Sequence, residues 1–278
     1  MTFRSDPTLR CPLDALPLIM ADGCLRCEDG HTFDIARQGY VNLLPAHNKR
    51  SRDPGDSKAM IAARRGFLDA GFYKALPARL VDCHLSRLGH DSLIVDAGCG
   101  EGYYLDQIQQ RLRNDDKPEP RIVGFDISKW AVQSAAKRFS ATWLVASNRQ
   151  IPLADRSANV ILDAFGFPNF VEFSRVLKPD GMLIRVEAGQ KHLLELRELI
   201  YPTVETNNSP HTLPSGFHRL TRDEITYTIE LSAHQQIADL LLMTPHLFRA
   251  QSEGKKRVEE LSSLTTTVHA VIDVFQRE

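Results

Sequence analysis

The segment Leu93–Gly102 constrains the fold more than any other part of the chain. An apolar run leads into Asp96, and Gly98, Gly100 and Gly102 then fall on alternate positions. Glycine serves where the backbone needs a positive φ or must pass close to a ligand without a Cβ in the way. The segment therefore predicts a buried strand that ends in a tight turn against a nucleotide-like ligand. Its spacing differs from the Gly-x-Gly-x-x-Gly dinucleotide fingerprint.

From residue 92 onward, apolar runs of strand length alternate with helix-length stretches. The predicted strands cover residues 92–97, 122–127, 142–146, 158–164 and 182–187. The predicted helices cover residues 102–113, 128–138, 170–177 and 191–200. Such alternation is typical of βαβ units, in which helices cover both faces of a parallel sheet. The predicted fold class is α/β, with a Rossmann-like domain.

Two more strands are predicted in the last third of the chain. Residues 222–231 and 266–275 alternate between apolar and polar side chains, and a helix over 233–242 lies between them. With one of the pair antiparallel, they complete a mostly parallel seven-stranded sheet. Before the sheet, a helix capped by Asp56 or Ser57 is predicted to run to a break near Gly71.

The composition limits the size and the partners of the protein. A chain of 278 residues, 42% hydrophobic and 25% charged, suits one large domain with an accessory module. We predict a small Cys/His module at residues 1–45 and the main domain at residues 46–278. The net charge of -1 excludes a general attraction to polyanions, so any RNA contact must come from a local patch. The chain has neither an apolar run of ~20 residues nor a signal peptide, so we expect a cytoplasmic protein outside the membrane.

The glycine turn resembles motif I of the class I S-adenosylmethionine (SAM) methyltransferases. In a doubly wound sheet the ligand lies beyond the carboxyl ends of the strands, which is where Asp96 and the three glycines fall. Backbone N–H groups at the start of the next helix favour the carboxylate of the methionine moiety. Asp126 ends the second predicted strand and is expected to accept hydrogen bonds from the ribose hydroxyls. One alternative is a site for another nucleotide, such as a nicotinamide cofactor, and the glycine spacing weighs against it. The other alternative is a glycine turn that binds no ligand.

The N-terminal module carries three of the five cysteines and a histidine at spacings found in zinc sites. Cys24 and Cys27 form a C-x-x-C pair, and His31 follows Cys27 by four residues. Two sets of four ligands are open: Cys11, Asp14, Cys27 and His31, or Cys11, Cys24, Cys27 and His31. A module of this length buries little apolar surface, so a metal would supply much of its folding free energy. The alternative is a ribbon that packs without a metal.

Motifs over nearly the whole chain resemble the bacterial 23S ribosomal RNA guanine-N1 methyltransferases. They are His31–Asp34, Gly39–Pro45, Lys49–Ser57, Ala63–Arg65, Phe67–Gly71, Cys99–Tyr104, and His192-Leu193 with Glu195-Leu196. The resemblance implies a SAM-dependent enzyme whose N-terminal zinc module positions ribosomal RNA. It implies donor contacts from Tyr73, Gly100, Glu101 and His192. The chain departs from the family at Asp14, where the family has a cysteine ligand. It also departs at Phe167-Pro168-Asn169, where the family has a proline, a cysteine and a lysine.

The acceptor side of the site is less constrained. Guanine N1 carries a proton at neutral pH, so a base is needed when it attacks the methyl group. Asp163 and Glu187 are candidate bases, with a capping or solvated acid as the alternative for each. Phe165 and Phe167 are candidates for stacking on a flipped base, or they are ordinary core and loop aromatics. Residues 202–220 form a candidate lid.

Basic residues near the junction of the two parts form a candidate phosphate-binding patch: Lys49, Arg50, Arg52, Arg64 and Arg65. A solvated face is the alternative. Three functions stay open: methyl transfer to RNA, with N1 of a guanine in 23S ribosomal RNA expected; transfer to another acceptor, such as a small molecule; and donor binding without catalysis. The catalytic residue is unassigned, and a homodimer is compatible with the sequence.

Overall fold

The computed structural model describes residues 2–45, 51, 53–85, 88–204 and 213–278. Its strands are β1 (Ile19–Ala21), β2 (Cys24–Arg26), β3 (Thr32–Asp34), β4 (Val41–Asn42), β5 (Leu93–Ala97), β6 (Arg121–Asp126), β7 (Thr142–Val145), β8 (Ala158–Ala164), β9 (Leu177–Ala188), β10 (Phe217–Leu231) and β11 (Leu264–Arg277). Its helices are α1 (Lys58–Asp69), α2 (Ala75–Leu80), α3 (Tyr103–Asn114), α4 (Lys129–Ala135), α5 (Phe170–Val176), α6 (Leu194–Ile200), α7 (His234–Leu242), α8 (His246–Arg249) and α9 (Ser252–Glu259). A turn of π-helix, Val81–Leu85, extends α2. Among these helices, none is long and apolar enough to cross a membrane.

The main sheet has the strand order β10-β11-β9-β8-β5-β6-β7-β4. Strands β5 to β9 run parallel to one another, whereas β11 is antiparallel to both β9 and β10. The α/β class and the mostly parallel sheet are therefore confirmed. The predicted count of seven strands is one short, because β4 pairs in parallel with β7 at the sheet edge. With two residues, β4 is too short to produce a recognisable periodicity.

Different parts of the chain cover the two faces of this sheet. Alternate residues of a strand point to opposite faces, so Ile94 joins one core and Val95 the other. Helices α1, α2, α3 and α7 contribute to the first core. The second core is closed by α5 and by the N-terminal segment, which buries Phe3, Leu9 and Leu18 there. The N-terminal segment thus covers part of the sheet directly, and β1, β2 and β3 form a small antiparallel sheet of their own.

Several element boundaries differ from the predicted ones. β9 begins at Leu177 instead of residue 182, and its pairing with β8 shifts register before Met182, so the added residues are an irregular part of the strand. α4 ends at Ala135 instead of residue 138. α6 begins at residue 194 instead of 191, because Leu193 has a φ of 52° that a helix does not permit. Ser57 caps α1 by accepting a hydrogen bond from the N–H of Met60 at 3.3 Å.

The predicted lid over residues 202–220 needs correction at its end. Residues 217–220 are the start of β10, and the Phe217 side chain is buried. Residues 205–212 lie outside the part of the chain that the structure describes.

Candidate active site

A cleft of about 2050 Å³ opens at the carboxyl ends of the parallel strands. The chain runs outward from β5 through β6 to β7 and then returns to place β8 on the other side of β5. Open α/β sheets bind ligands at such a reversal of strand order. The glycine turn after β5 and the loop after β8 both line the cleft.

Hydrogen bonds hold the glycine turn against the end of β6. The N–H of Gly98 donates to the carbonyl of Phe125 at 2.9 Å. Gly100 N–H donates to Asp126 Oδ2 at 3.0 Å, and Ser128 N–H donates to Asp126 Oδ1 at 2.8 Å. The carboxylate expected to bind ribose therefore also positions the turn. Each of its oxygens keeps a further lone pair for a ligand.

Asp96 lines the cleft and is 1% exposed. Within the described residues, neither of its carboxylate oxygens has a hydrogen-bond partner. Burial raises the pKa of this carboxyl well above its usual range, and the charges of Asp163 and Asp126 raise it further. An unpaired buried polar group costs ~1–3 kcal/mol. This position therefore fits a ligand that brings hydrogen-bond donors, as the ammonium and hydroxyl groups of SAM do.

Tyr73 and His192 form a buried pair in the wall of the cleft. His192 Nδ1 accepts a hydrogen bond from the N–H of His269 at 3.3 Å, and its Nε2 lies 3.2 Å from Tyr73 Oη. This bonding pattern assigns the ring proton to Nε2, which donates to Tyr73 Oη. Burial lowers the pKa of His192 to about 4, so the ring is neutral at pH 7. The hydroxyl proton of Tyr73 is then available to a ligand.

Glu101 also lines the cleft, and Arg138 holds it in place. Arg138 Nε donates to Glu101 Oε2 at 2.5 Å and to the Glu101 carbonyl at 2.9 Å. Arg138 Nη2 contacts Asp69 at 2.8 Å. Glu101 Oε1 is buried and has no hydrogen-bond partner in the described part of the chain. One carboxylate oxygen is therefore fixed by the ion pair, and the other is open to a ligand.

The loop after β7 connects the cleft to the N-terminal segment. Asn148 lines the cleft, and its buried Oδ1 lacks a partner among the residues described, so it can accept from an amino group. Gln150 Nε2 donates to the carbonyl of Pro12 at 3.0 Å. The N–H of Arg10 donates to the carbonyl of Pro152 at 3.0 Å. The segment that carries the first predicted metal ligands is therefore bonded to a loop that borders the cleft.

Four side chains of the N-terminal segment converge, with ligand atoms within 4.8 Å of one another: Cys11, Asp14, Cys27 and His31. His31 Nδ1 lies 2.7 Å from Asp14 Oδ2 and 3.4 Å from Cys27 Sγ. Two sulfurs, an imidazole nitrogen and a carboxylate oxygen at these separations suit tetrahedral zinc. Burial raises the pKa of Cys11 to about 11, so a bound cation is what would hold it as a thiolate.

Cys24 lies outside this cluster. Its Sγ donates to the carbonyl of Ala21 at 3.0 Å. Of the two ligand sets that the sequence leaves open, the structure brings together the one with Asp14.

The two candidate bases differ in their access to the cleft. Glu187 lines the cleft, whereas Asp163 is 1% exposed and is not among the lining residues. Burial raises the pKa of Asp163 to about 6 against the lowering effect of Arg185. Arg185 joins the two acids, at 3.3 Å from Asp163 Oδ2 and 2.7 Å from Glu187 Oε1.

The predicted basic patch is described only in part. Arg64 lines the cleft and pairs with Asp56 at 2.6 Å. Arg65 donates to Ser134 Oγ at 3.1 Å. The other three members of the patch, Lys49, Arg50 and Arg52, lie outside the described residues.

Comparison with known proteins places this cleft and this cluster in one family. Residues 9–52 match the zinc-ribbon family described as RlmA, N-terminal, and residues 94–181 match a methyltransferase domain. A Streptomyces fradiae protein named 23S rRNA (guanine(748)-N(1))-methyltransferase is 32% identical over 265 residues, which cover 92% of this chain and 91% of that one. The chain belongs to the 23S rRNA guanine-N1-methyltransferase family. Two further relatives carry such a name provisionally: YxjB of Bacillus subtilis (strain 168), 33% identical over 93% of each chain, and a Micromonospora griseorubida protein, 38% identical over 68% of each.

Membership of this family confirms the predicted enzyme class and the predicted cofactor, SAM. Two residues of the site, Arg138 and Tyr104, were not selected from the sequence. Arg138 lies far from the glycine turn in sequence and reaches Glu101 only because α4 packs beside the turn. Tyr104 lies two residues after Gly102, and its ring lies 6.4 Å from that of Phe165. Its place in the motif Cys99–Tyr104 is the signal that could have identified it.

Proposed function

We propose that this protein transfers the methyl group of SAM to N1 of a guanine in 23S ribosomal RNA. The observation that carries the proposal is a cleft with two kinds of lining. Unpartnered acceptors such as those of Asp96 and Asn148 suit the donor, whereas Phe165 and Glu187 suit a planar base with a proton to lose. The names of the relatives supply the acceptor.

Different residues contact different parts of the donor. Asp126 accepts hydrogen bonds from the ribose hydroxyls, and Asn148 Oδ1 accepts one from the adenine amino group. Asp96, Glu101 and the Tyr73–His192 pair surround the methionine end. Gly98 and Gly100 let the backbone approach it closely, and Gly102 lets the turn pack against Ala135.

SAM supplies a methyl group on a positively charged sulfur. The residues of the chain bind the two reactants, orient them in line and exclude water. Glu187 takes the proton from guanine N1, and Arg185 holds its carboxylate in position. Glu187→Gln removes the base without changing the shape of the side chain. We expect kcat to fall about 10²–10⁴-fold with little change in the KM for SAM.

The N-terminal module, residues 1–45, positions the RNA, and the main domain, residues 46–278, carries the reaction. One zinc ion bound by Cys11, Asp14, Cys27 and His31 would hold the module together. Thr203 and Leu213, on either side of the part that is not described, line the cleft and support a lid in the remaining residues 202–204 and 213–216.

Methyl transfer from tritium-labelled SAM to unmodified 23S rRNA, followed by nucleoside analysis, tests the proposal. We expect labelled 1-methylguanosine with the wild-type protein. Asp126→Ala should abolish it, and the matched control Asp180→Ala, at an exposed position in the irregular start of β9, should not. Label found only in another nucleoside or in a small molecule would contradict the proposal. SAM binding without turnover on rRNA would favour a binding protein.

A further inference from the structure

The mouth of the cleft carries an exposed aromatic side chain. Phe167 is 90% exposed and Val171 is 80% exposed, and both line the cleft. A phenylalanine ring in water forgoes the ~1.5–3 kcal/mol that burial would contribute. Its position at the opening suggests a planar apolar partner.

The backbone under this ring is fixed. Asn148 Nδ2 donates to the carbonyl of Phe167 at 2.8 Å. Asn169 Nδ2 donates to the carbonyl of Asn148 at 2.8 Å, and its Oδ1 accepts from the N–H of Glu172 at the start of α5. The exposed ring is therefore carried by a loop tied to the donor side of the cleft. A partner that stacks on it need not first order the backbone.

Phe165, two residues earlier, lies inside the cleft. It has a φ of 55°, a conformation that costs a bulky residue ~1–3 kcal/mol and that concentrates at functional sites. Its N–H donates to the carbonyl of Val186 at 2.8 Å. The Phe165 ring lies 5.7 Å from the ring of His192 and 6.4 Å from that of Tyr73. The loop thus presents one ring to the donor site and another to solvent.

Cations also line the cleft. Arg149, next to Asn148, and Arg249, at the end of α8, are exposed and line the cleft. Single-stranded RNA is bound by this combination, with bases stacked on aromatic rings and phosphates near arginines.

We propose that Phe167 stacks on the RNA base that flanks the target guanine, while the guanine itself enters the cleft beside Phe165. This inference rests on the proposed function, because that function makes RNA the acceptor. Phe167 would then select the conformation of the RNA, because it binds only a strand whose flanking base is free to stack.

Binding of in vitro-transcribed 23S rRNA by four variants tests the stacking. Base stacking measured by alanine substitution corresponds to about 5- to 150-fold in affinity. Phe167→Ala should weaken RNA binding in that range, Phe167→Trp should restore it, and Phe167→Leu should fail to, because leucine has no π-face. Leu220→Ala is the control at an exposed apolar position outside the cleft lining and should stay within twofold. The Kd for SAM and the Tm should be unchanged in all four.

The salt dependence of binding separates stacking from charge. Arg149→Ala should reduce the slope of log K against log salt by about one, and Phe167→Ala should leave the slope unchanged. RNA affinity within twofold of wild type for Phe167→Ala, or full rescue by leucine, would overturn the stacking. A wild-type protein that does not methylate rRNA would instead overturn the proposed function.

Discussion

Alanine at three glycines around the donor turn separates backbone strain from packing. Gly98 has a φ of +89°, and an added Cβ would meet nothing within 4 Å. Gly124 has an ordinary φ, but its Cβ would press on the ring of Trp143, 2.7 Å from Cε3. Gly102 has both problems, with a φ of +82° and a Cβ that would lie 2.9 Å from that of Ala135.

The magnitudes follow from these geometries. A left-handed conformation costs an L-residue ~1–2 kcal/mol. Forcing a methyl group into a packed core costs ~1–3 kcal/mol, and Trp143 is 0% exposed and has little room to move. Before the effect on the unfolded chain is included, these costs lower the free energy of unfolding by ~1–2 kcal/mol for Gly98→Ala, ~1–3 for Gly124→Ala and ~2–5 for Gly102→Ala. The gain of ~0.4–1 kcal/mol from stiffening the unfolded chain is common to all three, so the differences are unaffected.

Urea unfolding of the three variants beside the wild type measures these values. Calorimetric titration with SAM adds a second readout, because Gly98 lines the cleft and Gly124 does not. SAM affinity should therefore fall in Gly98→Ala and remain in Gly124→Ala. The reasoning would be refuted if Gly98→Ala destabilised the protein as much as Gly102→Ala, or if Gly102→Ala were milder than Gly124→Ala.

Three other predictions concern charge and metal. Burial lowers the pKa of His192 from 6.5 to about 4, so its contribution to stability is complete above pH 6.5 and is lost as the pH falls toward 4, by up to about 3 kcal/mol. His192→Asn keeps an acceptor for the backbone N–H but does not titrate. Its urea midpoint should therefore depend less on pH between 4 and 7 than that of the wild type, and an equal pH dependence of the two midpoints would contradict the prediction. Arg138→Met leaves the buried carboxylate of Glu101 without its cationic partner and should lower the free energy of unfolding by ~3–5 kcal/mol. Adding Glu101→Gln removes the unpaired charge and should restore part of that loss. Elemental analysis should find one zinc per chain in the wild type and in Cys24→Ala and much less in Cys11→Ala; equal loss in both variants would place Cys24 among the ligands.

Local patterns were sufficient to predict most of the elements. A strand buried on both faces and a helix with one apolar face each leave a pattern within a short window, so β5 to β9 and α3 to α7 were found within a few residues. The incorrect strand boundaries lie where pairing with a neighbouring strand determines whether a segment is a strand. β4 exists because it pairs with β7, and β10 extends back over residues 217–220 because β11 continues beside it.

For the site, the sequence by itself determined the glycine turn, its flanking acids and the supply of metal-binding side chains. These depend on residues close together in the chain, where spacing fixes geometry. Only the tertiary structure decided that Asp14 joins the cluster while Cys24 turns away, that Arg138 holds Glu101, and that the loop carrying Phe165 and Phe167 borders the donor cleft. Each of these contacts joins segments that are distant in sequence. The distance between such segments in the folded protein depends on the order of the strands and on which parts of the chain cover the sheet.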